Sequence, residues 1–587
     1  MKIKAKMKTV SVMAMIFLAI LSCKKNSSPG NNNDGNNNGN STDSVYNPID
    51  PTVAGSIGFF LSDWSGKTFI TPDVMTGTVP SGSVTDSLTI NVNKVITKVP
   101  QYVFGNNSNL WMGQIVTQAS LMGYITDLSP NVIRAPAGSV SDVYFFNQAS
   151  APPADVPDSL FDTNGNKVAA GYWYGHNSAG WTFSIDNYYQ LLQQTNSTGI
   201  ITVNYAYARY GTSADPVATA AHLAADWVRY DNGRSKFWEI GNESGGVWEA
   251  SYEIDVTKNK DGQPQFITGE LYGKHFNVFA DSMRAAAQSI GKTIYIGAQL
   301  LDAAPASWQN STDQTWNQGV LSQAGSSADF FIVHDYFTPF NTNSGIADIL
   351  SSATSVPSNA MGYLQQQMSA SGVGIKPVAL TEWNISAVGS KQMVSYVAGI
   401  HAALTLGNLL KNKFGEASRW DLANGWSNGD DMGMFSNSAG SGAEPGAPAW
   451  NPRPAFYYLY YFRKFFGDRM VYDTLKRINP DIITFSSTFS SGNAGTIIIN
   501  TGAQNHIVSV DFQHYPAGSK YYWYVLTGGT DNGNFSGQVY VNGTGPTSAT
   551  GGPLNYSVIK AYSAALNGTI KISVPALSVI YLVADKK

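Results

Sequence analysis

Lys236-Phe-Trp-Glu-Ile-Gly-Asn-Glu243 and Pro377-Val-Ala-Leu-Thr-Glu382-Trp-Asn384 are two short apolar runs, each suited to a buried strand and each closing on a glutamate. Runs this short and this apolar fit strands covered on both faces, as in a parallel sheet. Two carboxyl groups placed where two parallel strands end can supply an acid/base and a nucleophile to one site.

The chain around these runs keeps the same rhythm. Between Gln101 and Asp468, short apolar runs alternate with amphipathic helical segments, the pattern of a βα repeat. Strands are predicted at Tyr102–Gly105, Asn131–Ala135, Ile200–Tyr205, Lys236–Gly241, Thr293–Gln299, Asp329–His334, Pro377–Glu382 and Ala417–Leu422. Helices are predicted among them at Pro216–Arg229, Leu271–Ile290, Lys391–Leu410 and Arg453–Phe466. Eight strand-helix pairs make an α/β chain that closes a (β/α)8 TIM barrel, predicted over residues 101–468. An open doubly wound sheet is the other α/β arrangement, but no Gly-rich phosphate loop follows any strand. In barrel order Glu243 closes the fourth strand and Glu382 the seventh.

The flanks read differently. Residues 51–100 hold turns and β-like runs such as Ser87-Leu-Thr-Ile-Asn-Val-Asn93, too few for a domain of their own. From 469 to 587, runs such as Ile482–Ser487, Gly495–Asn500, Ile507–Phe512 and Ser578–Val583 recur between Gly, Asn and Ser turns. Together the flanks predict a C-terminal antiparallel β-sandwich completed by the N-terminal strands, which either has a purely structural role or binds carbohydrate. One long insertion, Ser141–Gly180, follows the second strand and carries Tyr144, Phe145, Phe146, Trp173 and Tyr174, with Trp181 just beyond. It either walls a cleft at the catalytic face or forms a cap with its aromatics packed inside.

Residues 1–22 pair a basic start, Met1-Lys-Ile-Lys-Ala-Lys-Met-Lys8, with an apolar run from Val10 to Leu21 that is short for a membrane span. This is the layout of a secretion signal. It ends at Ile20-Leu-Ser-Cys23, which resembles the lipobox of bacterial lipoproteins, and Cys23 is the single cysteine of the chain. The resemblance implies lipidation at Cys23, a membrane partner through that anchor, and an exported protein at the periplasmic or cell-surface face of the outer membrane. Residues 23–50 are rich in Asn, Gly and Ser and read as a flexible tether.

A net charge of -4 with 13% charged residues excludes a basic nucleic-acid surface. Aromatic residues reach 12%, a supply from which sugar-stacking platforms can be drawn beyond what packing uses. The seven histidines show no metal-ligand spacing, so the chemistry is read without metal or cofactor.

Gly241-Asn242-Glu243 and Thr381-Glu382-Trp383-Asn384 resemble the strand-four and strand-seven motifs of clan A retaining glycoside hydrolases. The resemblance implies that Glu243 is the acid/base, Glu382 the nucleophile and Asn242 the partner of the sugar 2-hydroxyl. Arg134, in Asn131-Val-Ile-Arg-Ala135, stands where that clan carries an arginine supporting the nucleophile. His334-Asp335-Tyr336 resembles the His-x-Tyr pair of the α-L-arabinofuranosidase branch, whose tyrosine hydrogen-bonds the nucleophile. That branch is the nearest resemblance and covers both barrel and sandwich. It lapses at two positions of sugar recognition. Asn109, in Gly105-Asn-Asn-Ser-Asn109, stands for a glutamate, and Arg134-Ala-Pro-Ala-Gly-Ser139 lacks the asparagine that closes the turn. A lost charged partner changes discrimination among hydroxyls, so the reaction carries over better than the substrate.

The expected activity is therefore retaining hydrolysis of O-glycosides in a plant or algal polysaccharide or its oligosaccharides. Glu382 forms a glycosyl-enzyme, and Glu243 first gives and then takes a proton. The Glu243 carboxyl is expected to titrate high while the nucleophile is charged. An endo-acting glycanase of the same clan and a non-catalytic glycan-binding surface lipoprotein are the rival readings. Further expected sugar contacts are Trp383 and Trp426 as platforms, each equally a core residue, and Trp248 with Glu249 lining the subsite beside the acid/base. Glu239, inside the fourth strand, reads as a buried, paired structural carboxylate. All of this requires the two glutamates to meet within about 5 to 6 Å.

Overall fold

Eight parallel strands close on one another in the computed structural model, which describes residues 46–587 apart from 137, 388, 438–442 and 477–479. They are β1 (Gly105–Asn107), β2 (Val132–Ala135), β3 (Thr198–Val203), β4 (Ser235–Ile240), β5 (Tyr295–Gln299), β6 (Phe330–Tyr336), β7 (Val378–Asn384) and β8 (Glu416–Arg419). A helix follows each in turn: α1 (Ala119–Leu128), α2 (Ile185–Thr195), α3 (Pro216–Asp231), α4 (Gly269–Ser289), α5 (Ser311–Ala324), α6 (Ile346–Ala370), α7 (Tyr396–Lys411) and α8 (Pro454–Phe465). This is the expected (β/α)8 barrel. The signal segment, Cys23 and the tether up to residue 45 lie outside the described residues.

The first strand differs from its sequence reading. Gln101–Val103 is a short 3-10 turn, and the strand begins at Gly105. A Cβ at Gly105 would lie 2.5 Å from Ser418 Oγ and 2.7 Å from both Ala417 O and Val132 Cγ1. Only a bare backbone lets β1 wedge between β8 and β2 and complete the ring. The last strand also ends early, at Arg419, after which Leu422 N–H turns back to donate to Asn107 O at 2.9 Å.

Side chains alternate between the barrel lumen and the helical shell, as the two-residue period of a strand requires. Val132, Ile200, Phe237, Phe330, Ile332 and Ala379 form one apolar cluster, while Ile133, Ile201, Trp238, Phe331 and Leu380 belong to the larger core under the helices. The first cluster is closed from below by residues the sequence reading assigned to the sandwich. Ile57 and Phe60, on and before the turn Gly58–Leu61, are buried against it, and Phe59 stacks on Tyr295 with ring centroids 3.9 Å apart. Residues 54–61 are thus a plug for the N-terminal end of the barrel. With that end sealed, the opposite end is the open one.

The expected sandwich is an eleven-stranded sheet that folds over its own apolar face. Leu88, Ile90 and Val510 from one end of the strand order share a core with Trp523, Ile580 and Leu582 from the other. The N-terminal strands join it as expected, but the sheet is not wholly antiparallel. Asp86–Lys98 pairs antiparallel with Arg469–Lys476 and parallel with His506–Gln513, and Val74–Thr76 runs parallel to Ala561–Ala565. A strand delivered from before the barrel is free of the hairpin constraint that forces antiparallel pairing. The sheet's other face packs on α8, where the Tyr581 hydroxyl donates to Tyr458 O at 2.7 Å. Among the described residues no helix is long and apolar enough to cross a membrane.

The insertion after β2 is mostly a packed cap. Tyr144, Phe145 and Phe146 are buried, and Phe146 stacks on Trp227 of α3 at 4.9 Å. Trp173 and Tyr174 are half-buried, and Trp181 is exposed.

Candidate active site

Both glutamates reach the open end of the barrel, by different devices. On β7, Leu380 and Trp383 both belong to the core under the helices, although an unbroken strand would put residues three apart on opposite faces. One extra residue is accommodated between them: the register with β6 and the register with β8 both shift there. This bulge turns Glu382 inward, a re-aiming that bulges commonly perform beside active sites. On β4 the chain leaves the strand at Ile240, and Glu243 sits on the following turn with φ +42°. A non-glycine residue in that region costs about 1 to 3 kcal/mol and has to be held there. The hold comes from Gln299 of β5, whose Oε1 accepts Ser244 N–H at 2.8 Å, and from Glu243 O, which accepts Gly246 N–H at 2.6 Å.

The two carboxylates meet around His334. One oxygen of Glu243, one of Glu382 and one ring nitrogen of His334 all lie within 4.8 Å of one another. That is the close spacing that direct nucleophilic attack requires, without room for an intervening water. His334 Nδ1 is 2.9 Å from Glu243 Oε1 and 3.6 Å from Glu382 Oε1, and its Nε2 is 3.0 Å from Thr381 Oγ1. Three groups of this kind so close together are also a set that could ligate a cation, and Arg134 and Tyr336 each place one hydrogen bond on the oxygens of Glu382.

Glu382 is the better enclosed of the pair, its side chain 5% exposed against 27% for Glu243. Arg134 Nη1 donates to its Oε1 at 2.7 Å, and the Tyr336 hydroxyl donates to its Oε2 at 2.7 Å. Burial pushes the Tyr336 hydroxyl far up, and the charge of Glu382 pushes it further, so it remains a donor. The guanidinium also spends Nε on Glu239 Oε2 at 2.6 Å, Nη1 on Asn107 Oδ1 at 3.1 Å and Nη2 on Asn242 Oδ1 at 2.9 Å. Burial alone would weaken its charge, but the Glu239 and Glu382 carboxylates outweigh burial and raise its pKa. Glu239 is thus the buried, paired carboxylate expected of it. Asn107, which sequence reasoning passed over, links β7 to β1 by donating from Nδ2 to Thr381 O at 2.8 Å.

The expectation of a high-titrating acid/base is not met in this structure. Burial does raise the Glu243 carboxyl, but the His334 imidazole, the Trp248 indole N–H and the more distant Arg134 outweigh it and hold the group below its ordinary range. Trp248 Nε1 donates to Glu243 Oε2 at 2.7 Å. His334 shifts the opposite way: burial lowers it, but Glu382 and Glu243 together raise it above the usual imidazole value. The shared proton therefore rests on the imidazole side of the Glu243–His334 contact.

Behind the Glu243 turn lies a second carboxyl pair. Asn242 Nδ2 donates to Glu249 Oε1 at 2.9 Å, and Asn242 N–H to Asp142 Oδ1 at 3.4 Å. Ser139 Oγ donates to Glu249 at 2.7 Å and Ser251 Oγ to Asp142 at 3.2 Å. Burial pushes Asp142 up to about 7 and raises Glu249 well above its ordinary range, with Asp142 and Glu243 adding to the rise at Glu249. Glu249 braces Asn242 instead of lining a subsite, which corrects its sequence reading. Asn242 is itself buried and held from both ends.

Two other expectations are corrected. Trp383 is 1% exposed and packs among Phe104, Leu406 and Leu459 on the helix side of β7, so it offers no face to a sugar. Asn109 is fully buried, and its amide donates to Asp421 Oδ2 and Ala423 O, both at 2.6 Å. A carboxyl group does stand at that position, but Asp421 brings it from the segment after β8. Trp426 is half-buried, with the Arg453 guanidinium 5.9 Å from its ring, and it lines a recess with Lys391, Glu444 and Phe535 that contains neither carboxylate.

A cleft of about 480 Å³ opens from Glu243 and His334 along Trp248, Trp308 and Trp316. Nothing in the sequence singles out Trp308, because the preceding Pro305-Ala-Ser307 reads as an ordinary turn. At the cleft's edge burial raises the Asp302 carboxyl, and behind it burial and the neighbouring Asp302 charge push Asp335 up to about 9.

The sequence matches no family model and no curated protein. Solved structures do resemble it. The α-L-arabinofuranosidase from Thermotoga maritima in its arabinose complex superposes with a TM-score of 0.57 at 14% identity, over 86% of this chain and 100% of that one. The GH51 arabinofuranosidase from Xanthomonas axonopodis pv. citri gives 0.58 at 14%, with the same coverage of 86% and 100%. The GH family 44 endoglucanase from Clostridium thermocellum gives 0.54 at 12%, again covering 86% and 100%. At these identities the likeness defines the architecture: the chain has the closed parallel barrel and attached β-sandwich found in these clan A enzymes of families 51 and 44.

Proposed function

We propose that this protein is a retaining O-glycoside hydrolase acting on a plant or algal polysaccharide or its oligosaccharides, in the manner of an α-L-arabinofuranosidase. The observation that carries this reading is the approach of Glu243, His334 and Glu382 donor atoms to within 4.8 Å at the mouth of a barrel. Glu382, held by Arg134 and Tyr336, attacks the anomeric carbon as the glycosidic bond breaks. Glu243 gives a proton to the departing oxygen, and the glycosyl-enzyme forms. Glu243 then takes a proton from an incoming water that releases the sugar. Asn242, braced by Glu249 and Arg134, is assigned to the sugar 2-hydroxyl.

A 2-fluoro glycoside with an activated leaving group tests the assignment, because it traps the covalent intermediate. Peptide mass spectrometry is expected to find one label, on Glu382. A label elsewhere, or hydrolysis with inversion, would sink the assignment.

An endo-acting glycanase of the same reaction class is the second reading, favoured by the open cleft beside Glu243. Product sizes from a polysaccharide decide between them, oligosaccharides for endo action and single sugars for exo action. A non-catalytic glycan binder has no use for a buried Arg134–Glu382 pair. The export signal supports a location at the outer membrane with a lipid on Cys23. A Cys23→Ser variant that still fractionates with membranes would overturn that placement.

A further inference from the structure

The cleft that opens from the acid/base does not include the nucleophile: Glu243, Trp248 and His334 line it and Glu382 does not. In retaining hydrolysis the acid/base stands beside the leaving oxygen, and the nucleophile beneath the anomeric carbon. A groove reached from the first and not the second therefore runs along the leaving group. Two tryptophans are left in water on its walls, Trp248 at 57% and Trp308 at 84% exposure. Indoles kept in water at a groove mark a contact surface, and their flat faces suit the C–H faces of sugar rings. Asp302, Gln309, Asn310 and Asp313 add hydroxyl partners along the same groove.

Trp248 has a second contact. Its N–H holds Glu243 Oε2, while His334 holds Oε1, so both oxygens of the acid are engaged. A carboxylate accepting two such bonds is a poor acid, and one oxygen must be freed to serve the leaving group. His334 is 8% exposed and tied to Thr381, so it does not yield easily. Trp248 is the less enclosed partner, with its ring 57% exposed and folded back over a tight turn. A Cβ on Gly246 would sit 2.7 Å from Trp248 Cε2, so the return is possible only over a glycine.

We propose that this cleft binds the leaving saccharide of an oligosaccharide or polysaccharide on Trp248 and Trp308, and that this binding draws the Trp248 N–H off Glu243, freeing Oε2 to act as the acid. The proposal rests on Glu243 being the acid/base. As the indole leaves, Glu243 takes one proton from the buffered solvent and passes it from Oε2 to the glycosidic oxygen while the bond to the sugar breaks; the proton it later takes from the attacking water returns to solvent when the indole re-engages the carboxylate. Glu243 is faced by His334 and Tyr336 from β6, Glu382 from β7, Arg134 from β2, and Asp142 and Glu249 from the adjoining loops. Trp248→Phe alters none of these side chains, so a shift of the acid limb in that variant reports the lost indole N–H.

The test uses the full chain and the 4-nitrophenyl glycosides of α-L-arabinofuranose, β-D-xylose and β-D-glucose, each beside the oligosaccharide of the same sugar. Trp308→Ala is expected to lower kcat/KM on the oligosaccharide by about tenfold more than on the nitrophenyl glycoside. Trp248→Phe keeps the ring and loses the N–H. Its alkaline limb of kcat/KM on the oligosaccharide is expected about one pH unit higher than wild type, near the wild-type limb of kcat. Equal losses on both substrates for Trp308→Ala, or an unmoved limb for Trp248→Phe, would overturn the proposal while leaving glycoside hydrolysis intact. No hydrolysis of any substrate by the wild type would overturn both.

Discussion

Arg134 Nη1 donates to Glu382 Oε1 across 2.7 Å with the arginine side chain 0% and the glutamate 5% exposed. An ion pair so far from water is held by its geometry, and removing one partner strands the other. Arg134→Met leaves Glu239 and Glu382 without their cation at once. The expected cost is about 3 to 5 kcal/mol of stability, together with loss of hydrolysis beyond detection. Urea denaturation and a nitrophenyl glycoside assay measure the two. A variant as stable and as active as wild type would mean the pair has no such role.

Tyr336 makes a more selective claim. Among the described residues its hydroxyl bonds Glu382 Oε2 alone, so Tyr336→Phe removes one hydrogen bond to a charged group and little else. A loss of about 1.5 to 3 kcal/mol in transition-state binding is expected, read as a fall of roughly 10- to 100-fold in kcat/KM. Melting temperature is expected to stay close to that of wild type.

Glu243→Gln separates the acid from the nucleophile. A loss of about 10²- to 10⁴-fold is expected on an oligosaccharide, where the departing oxygen needs a proton. On a dinitrophenyl glycoside, whose leaving group needs none, the bond-breaking step is expected to persist as a burst. Uniform loss on both substrates would reassign Glu243.

Asp142 supplies a pH test of stability. Burial pushes its carboxyl up to about 7 from an ordinary 3.8, so the folded chain holds a proton that the unfolded chain has lost between those values. The stabilising neutral form is complete below pH 3.8, and stability falls as pH climbs toward 7. His334, also raised, extends the fall above its ordinary 6.5. Glu243, lowered, acts in the other direction and loses its contribution as pH drops below 4.5. Asp142→Asn is therefore expected to flatten the decline between about pH 4 and 7. Denaturant midpoints across that range check the slope.

Trp383 is a matter of packing. Trp383→Ala is expected to cost about 3 to 5 kcal/mol with KM for any saccharide unchanged in the folded fraction. A raised KM without loss of stability would return Trp383 to the sugar site.

Period-two reasoning alone places Trp383: if Glu382 faces the lumen, its neighbour faces the helices. The repeat of apolar run and amphipathic helix likewise made eight strands legible, because each strand must be buried on both faces and each helix on one. What local pattern did not reveal was contact between distant segments. Asp421 beside Asn109, and Glu249 with Asp142 beneath Asn242, are pairs whose members lie on separate loops. Trp308 carries no sign in its neighbours that it borders a cleft. The plug at 54–61 falls within the stretch 51–100 that reads as part of the sandwich, because nothing local in it shows that Ile57 and Phe60 close the barrel floor.

By itself the amino-acid order determined the barrel, the sheet drawn from both flanks, and the two strand ends that carry Glu243 and Glu382, since burial periodicity is a local property of the chain. Only the tertiary structure decided which groups touch those carboxylates, and with them the protonation of the site. Charge states depend on distances of a few ångströms between residues far apart in sequence. The bulge in β7, the φ +42° turn at Glu243 and the Trp248 N–H on its carboxylate set those distances.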